Sequence, residues 1–69
     1  MEYSLEGKEY IELNLLIKYI KWAQSGGEAN RFVSDGYVRV NKEKEFKRRC
    51  KLRAGDVVSF DQENCTVVK

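Results

Sequence analysis

Residues 25–41 read SGGEANRFVSDGYVRVN, from Ser25 to Asn41. In this stretch a helix starts, stops and hands over to a strand. Ser25 followed three residues later by Glu28 is a capping box. The hydroxyl accepts from the Glu28 amide, and the carboxylate reaches back to the Ser25 amide. Ala29, Phe32 and Val33 fall at i, i+3, i+4 and give the helix a buried face. Gly36 stands where a residue in the left-handed conformation ends a helix. Gly26 and Gly27 then occupy the first turn, where glycine costs helix stability. Two readings of that pair are open. The plainer is close packing against another helix. The other is a set of bare amides that attracts a phosphate.

After Gly36, Tyr37-Val38-Arg39-Val40 alternates, with Val38 and Val40 inward and Tyr37 and Arg39 outward. Asn41-Lys42 reads as a tight turn. Asn tolerates positive φ there, whereas Lys42 stands where glycine would be free.

On the N-terminal side, residues 13–22 predict a first helix. Leu13, Leu16, Ile17 and Ile20 make one apolar row, and Leu15, Tyr19 and Trp22 make a second. Asn14, Lys18 and Lys21 form the remaining polar stripe. A helix apolar over so much of its circumference needs cover on two sides, from a sheet and from the second helix. Tyr3-Ser4-Leu5 and Tyr10-Ile11 are candidates for an edge strand. On the C-terminal side, Ala54-Gly55-Asp56 is a turn. Residues 57–60 and 65–68 form a hairpin closed through Asp61-Gln62-Glu63-Asn64. Residues 43–53 have no clear period, with Leu52 expected in the core.

Sixty-nine residues make one domain at most, here residues 1–69, with a small core. The net charge of +2 is divided unevenly. Residues 1–30 carry three basic and five acidic side chains, residues 31–55 nine and three, and residues 56–69 one and three. A basic middle between acidic flanks suggests one charged face. The start of the chain lacks the basic and apolar regions of a signal peptide, and no apolar run is long enough for a membrane span. A cytoplasmic protein with reduced thiols at Cys50 and Cys65 is the expectation. With no histidine and only two cysteines, a Cys/His zinc site is ruled out, and no cofactor is expected.

The order of parts is L-x-x-L-I-K, SGGEA, DG-x-V-x-VN, a basic run, then L-x-AGD-V-V. From about Ile11 to Val68 this resembles the RNA-binding domain named after the fourth protein of the small ribosomal subunit. It is most similar to the stand-alone bacterial, YbcJ-like members. The resemblance implies an α+β fold of two packed helices against a small, mostly antiparallel sheet, the αL RNA-binding motif. It also implies RNA lying across the second helix and the strand-turn-strand that follows. Carried over by position, the implied contacts are Ser25, Gly26, Gly27, Asn30 and Arg31 on the helix, Arg39 and Asn41 on the strand and turn, and Lys47, Arg48, Arg49 and Lys51 in the basic run. Two positions depart from the family pattern. Asn30 replaces a usual Lys or Arg and removes a phosphate contact. Lys42 replaces the glycine of a V-N-G turn, adding a charge and straining the turn.

Between Lys44 and Arg53 the chain places six basic residues against one acidic one. No period of 2 or 3.6 buries them, so they point to solvent and repel one another until an anion relieves the repulsion. The plain alternative is a solvated face that keeps a small protein soluble. Phe46 and Tyr37 are candidates for stacking on an unpaired base. Phe46 is nevertheless expected to close the floor of the core, and Trp22 to lie in the core or pack between the helices. The many cations around Cys50 raise the prospect of a lowered thiol pKa. No combination of residues supplies a nucleophile with its base, so an enzyme is not expected. Two functions remain. One is a monomeric module for structured ribosomal or transfer RNA; the other is a module docking its basic face on an acidic, ribosome-associated protein.

Overall fold

A computed structural model describes all residues 1–69. In chain order the elements are β1 (Glu2–Ser4), β2 (Ile11–Glu12), α1 (Leu13–Tyr19), α2 (Gly26–Ser34), β3 (Val38–Val40), β4 (Glu43–Lys44), β5 (Lys51–Leu52), β6 (Val57–Phe60) and β7 (Glu63–Val68). Five strands form one sheet in the order β1-β7-β6-β3-β4, and β2 and β5 form a separate two-stranded ribbon. Only the β1–β7 pairing is parallel. The fold is thus two helices packed against a mostly antiparallel sheet.

Register sorts the side chains by face. Val58 lies opposite both Cys65 and Val40, Val38 opposite Phe60, and Tyr3 opposite Val67. Directly opposed residues share a face, so these line the side toward the helices. Leu13, Leu16 and Ile17 from α1 and Ala29 and Val33 from α2 meet them in one core of thirteen buried residues, with no buried charged or polar residue among them. Leu52, brought in by the β2–β5 ribbon, is fully buried as expected. The opposite face carries Lys44, Arg39, Ser59 and Asn64 in one cross-strand row.

Both helices end alike. The Tyr37 amide donates to the Phe32 carbonyl and the Gly36 amide to the Val33 carbonyl, with Gly36 at φ +83°. In α1, Trp22 donates to Ile17 and Lys21 to Lys18, with Lys21 at φ 71°. These are paired Schellman closures. Lys21 performs glycine's part, so α1 stops at Tyr19, three residues before the end its apolar rows predict. Trp22 consequently lies beyond the helix, half-buried and stacked on Phe60 at 5.9 Å between ring centroids.

The Asn41-Lys42 turn has φ of 52° and 76° and joins β3 to β4 as a two-residue hairpin. The β6–β7 hairpin is tighter than its sequence suggests. Phe60 pairs with Glu63, so only Asp61 and Gln62 make the turn. The N-terminal segments do not form one edge strand. β1 lies at the edge of the main sheet, whereas Ile11 pairs with Leu52 in the ribbon. Both cysteines are free.

Candidate nucleic-acid interface

The first turn of α2 is open. Ser25 Oγ accepts from the Glu28 amide at 3.1 Å, as the capping box requires. The Glu28 carboxylate, however, accepts from the Gln24 amide at 2.7 Å, one residue before the expected Ser25. No protein atom accepts from the amides of Gly26 or Gly27. A Cβ added at Gly26 would meet nothing within 4 Å, and one at Gly27 only Ser25 Oγ at 4.0 Å. Close packing therefore does not account for the two glycines, which corrects the plainer reading of them. Neither has the positive φ that would demand glycine. What they leave is bare backbone at the positive end of a helix dipole.

Asn30 lies one turn after Gly26, and the exposed Arg31 one turn after Gly27. Asn30 is tied inward, its Oδ1 accepting from Asn14 Nδ2 at 3.0 Å. The basic run reaches the same place. Its path starts at β4, where Lys44 pairs with Arg39 across the sheet edge. The Glu45 amide then donates to the Val38 carbonyl at 3.0 Å, and the Lys47 amide to the Glu45 carboxylate at 3.0 Å. The Arg48 carbonyl accepts from the Asn14 amide and the Cys50 carbonyl from the Leu13 amide, both at 2.9 Å. Glu12 offers α1 no side-chain cap, so the basic run caps that helix with its own carbonyls. Asn14 thereby holds Arg48 by its backbone and Asn30 by its side chain, and the loop lies beside the middle of α2.

The expected contact residues consequently divide. Ser25, Gly26, Gly27, Asn30 and Arg31 follow one another on α2, and Arg48 joins them through Asn14. Lys47 lies on the same loop, and Arg39 stands beyond it, where its strand pairs with the loop's first residues. Arg49 and Lys51 turn toward the β2–β5 ribbon instead. Arg49 Nε pairs with Glu12 Oε2 at 3.2 Å, and Lys51 Nζ stands 4.9 Å from the Tyr10 ring centroid. Asn41 is also otherwise engaged. Its Nδ2 donates to Asp56 at 3.1 Å and its Oδ1 accepts from the Val57 amide at 2.9 Å, pinning the hairpin turn to the start of β6.

Arg49–Glu12 is the one ion pair of the molecule. Twelve of the thirteen Lys and Arg side chains therefore have no carboxylate within 4.0 Å. The cations nevertheless do not prevail at Cys50, where Lys47 lowers the pKa less than its other surroundings raise it. Burial pushes that thiol up, and Glu45 adds to the effect. Phe46 is the other departure: it is 59% exposed and not in the core. Sequence reasoning passed over Asn14 and Lys44 as site residues. Asn14 was visible only as one member of a polar stripe, and Lys44 lay in a segment with no readable register. The largest concavity, about 550 Å³, is apolar and lies apart from this surface, between Tyr3, Tyr10, Leu15 and Tyr19.

Residues 3–68 match the family described as S4 domain. The chain is 36% identical over 66 residues to YbcJ of Escherichia coli (strain K12), covering 96% of this chain and 94% of that one. It is 42% identical over 53 residues to the "Probable ribosome maturation protein RlbA" of Bacillus subtilis (strain 168), covering 77% of this chain and 75% of that one. The solution structure of E. coli YbcJ, described as revealing an αL motif involved in RNA binding, superposes with a TM-score of 0.75 at 35% identity. That match covers 99% of this chain and 86% of YbcJ. The 30S ribosomal protein S4e of Thermoplasma acidophilum shares the fold, with a TM-score of 0.68 at 22% identity over 83% of this chain and 30% of that one. With a second helix opened and closed by glycines and a basic loop held to the first helix beside it, the chain belongs to the S4 domain family.

Proposed function

We propose that this protein binds structured RNA, ribosomal or transfer RNA, as a cytoplasmic monomer, chiefly through phosphate contacts. The observation that carries this reading is the set of exposed cations left without carboxylates along α2, the β3–β4 edge and the basic loop: Arg31, Arg39, Lys44, Lys47 and Arg48. An anionic polymer relieves their mutual repulsion and releases its own counterions in doing so. The bare amides of Gly26 and Gly27 add donors for one further phosphate. The αL motif of YbcJ, described as involved in RNA binding, supports an RNA-binding role. The name of RlbA supports a ribosomal setting. The two free thiols suit a reducing compartment.

The test is a titration of ribosomal RNA fragments and transfer RNA at several salt concentrations. About four phosphate contacts give a log–log slope of roughly −3. The triple substitution Arg39→Ala, Lys47→Ala, Arg48→Ala is expected to flatten that slope while leaving the circular dichroism spectrum unchanged. A triple variant that binds like the parent would show that the surface is wrongly placed.

A further inference from the structure

An exposed phenylalanine is ordinary on a protein surface, but Phe46 differs in where it sits and how it is held. It occupies the middle of the basic run, with Lys44 before it and Lys47 and Arg48 after it. One side of the ring lies on Gly36. A Cβ built on Gly36 would stand 3.2 Å from Phe46 Cε1 and 3.6 Å from Cζ, with the Lys44 stem at 3.8 Å. Gly36 is thus glycine for two reasons: its φ of +83° and the ring it receives. The rest of the ring faces solvent, at 59% exposure for the residue, and no second aromatic ring packs on it.

The loop under the ring is held on both sides. Glu45 donates its amide to Val38 before it, the Lys47 amide is held by the Glu45 carboxylate, and the Arg48 and Cys50 carbonyls are held by α1 after it. A planar apolar ring is therefore presented from a held backbone, against Gly36, among cations that have no protein counter-charge. Docking on it would cost little ordering entropy. A partner that combines a flat apolar face with negative charge on either side fits this arrangement, and an unpaired nucleotide is such a partner. Bases splayed from bulges and loops stack on aromatic side chains, a contact open to any unpaired base and closed to bases held in a continuous duplex.

We infer that Phe46 is a stacking platform for one unpaired base, with the flanking phosphates held by Lys44 and Lys47. The inference rests on the RNA-binding reading and adds to it a preference for RNA that is interrupted by a bulge or loop over continuous duplex. Two hairpins with the same stem test it, one fully paired and one carrying a single 2-aminopurine bulge. The parent is expected to bind the bulged hairpin more tightly and to change its 2-aminopurine fluorescence. Phe46→Leu is expected to lose about 10-fold or more on the bulged hairpin. Its affinity for the paired hairpin and its salt slope should match the parent, and Phe46→Trp should retain the preference. If the parent binds RNA and Phe46→Leu binds the bulged hairpin as tightly as the parent does, the platform is refuted and the ring is left to a protein partner. If the parent binds neither hairpin, nor any other RNA offered, the RNA reading falls and the platform with it.

Discussion

Asn14 donates its side-chain amide to Asn30 Oδ1 at 3.0 Å while its backbone amide donates to the Arg48 carbonyl at 2.9 Å. One residue thus joins the two helices and the basic loop. Its Oδ1 also accepts from the Leu15 amide at 2.9 Å, supplying the first turn of α1 with a second acceptor besides the loop carbonyls. Asn14→Ala keeps the backbone bond to Arg48 and removes both side-chain bonds. The expected loss is about 1–2 kcal/mol, since each such bond contributes roughly 1 kcal/mol net. Urea unfolding should show a lower midpoint at unchanged slope, and an unaltered midpoint would mean that water replaces both bonds without cost.

Lys21 and Lys42 both hold positive φ, 71° and 76°. A left-handed residue with a Cβ is strained by about 1–2 kcal/mol, and glycine relieves most of that while losing some to the entropy of the unfolded chain. Lys21→Gly and Lys42→Gly are each expected to stabilise the fold by about 0.5–1 kcal/mol, a rise of roughly 2–8 °C in Tm for a domain of this size. Their effects on RNA should differ. Lys42 lies on the turn beside Arg39, so its removal weakens binding and reduces the salt slope by up to about 1. Lys21 ends α1, outside the proposed surface, so Lys21→Gly should leave binding unchanged. Equal RNA affinities for the two variants would exclude the β3–β4 turn from the interface.

Glu12 withdraws Arg49 from the basic surface through the 3.2 Å pair. Arg49 is 73% exposed in that pair, so the pair itself contributes about 1 kcal/mol at most. Glu12→Gln therefore frees a cation at small cost to the fold. RNA affinity is expected to rise and the salt slope to steepen by up to about 1. A weaker-binding Glu12→Gln variant would show that Arg49 serves RNA only when positioned by that carboxylate.

The parts legible in the sequence are those fixed by local chemistry. The Ser25 cap, the Gly36 stop and the alternation from Tyr37 to Val40 each depend on neighbours within a few residues and lie where they were read, although the Glu28 carboxylate reaches the Gln24 amide in place of Ser25. Residues 43–53 were not legible because their strands, Glu43–Lys44 and Lys51–Leu52, are two residues long and show no period. They are placed by distant partners: Val38, Leu13 and Asn14 through hydrogen bonds, and Ile11 through the ribbon. Phe46 misled for a related reason. An apolar residue in a charged run reads as core, and only the fold brings Gly36 under its ring. The end of α1 was hidden because Lys21, with no glycine to signal it, takes the left-handed conformation.

Tyr3, Cys50 and Cys65 all have pKa values raised first by burial. In each case the folded chain keeps its proton where the unfolded chain has lost it. The resulting stability is fully present below the ordinary thiol value of 9.0 and is lost as pH rises through the raised folded values. Urea midpoints should therefore change little on account of these groups from pH 7 to 8.5 and fall above about pH 9. Cys50→Ala should show a shallower fall than the parent. A Cys50 that reacts rapidly with a thiol reagent at pH 7 would contradict the direction given for it.

Gly27 provides the sharpest separation of folding from binding. An added Cβ there meets only Ser25 Oγ at 4.0 Å, an ordinary contact, and the backbone needs no positive φ. Alanine is the better helix former by up to about 1 kcal/mol in a helix interior and by less in a first turn. Gly27→Ala should therefore leave the fold as stable as the parent or more so. The methyl would, however, stand beside the bare amides of α2, where a phosphate has to approach closely. The expected outcome is an equal or higher Tm together with RNA binding weakened several-fold. Because no charge is removed, the weakening should come without the slope change that Lys42→Gly produces. If Gly27→Ala binds RNA as the parent does, no phosphate approaches the start of α2, and the cations on β3 and the basic loop must carry the contact alone.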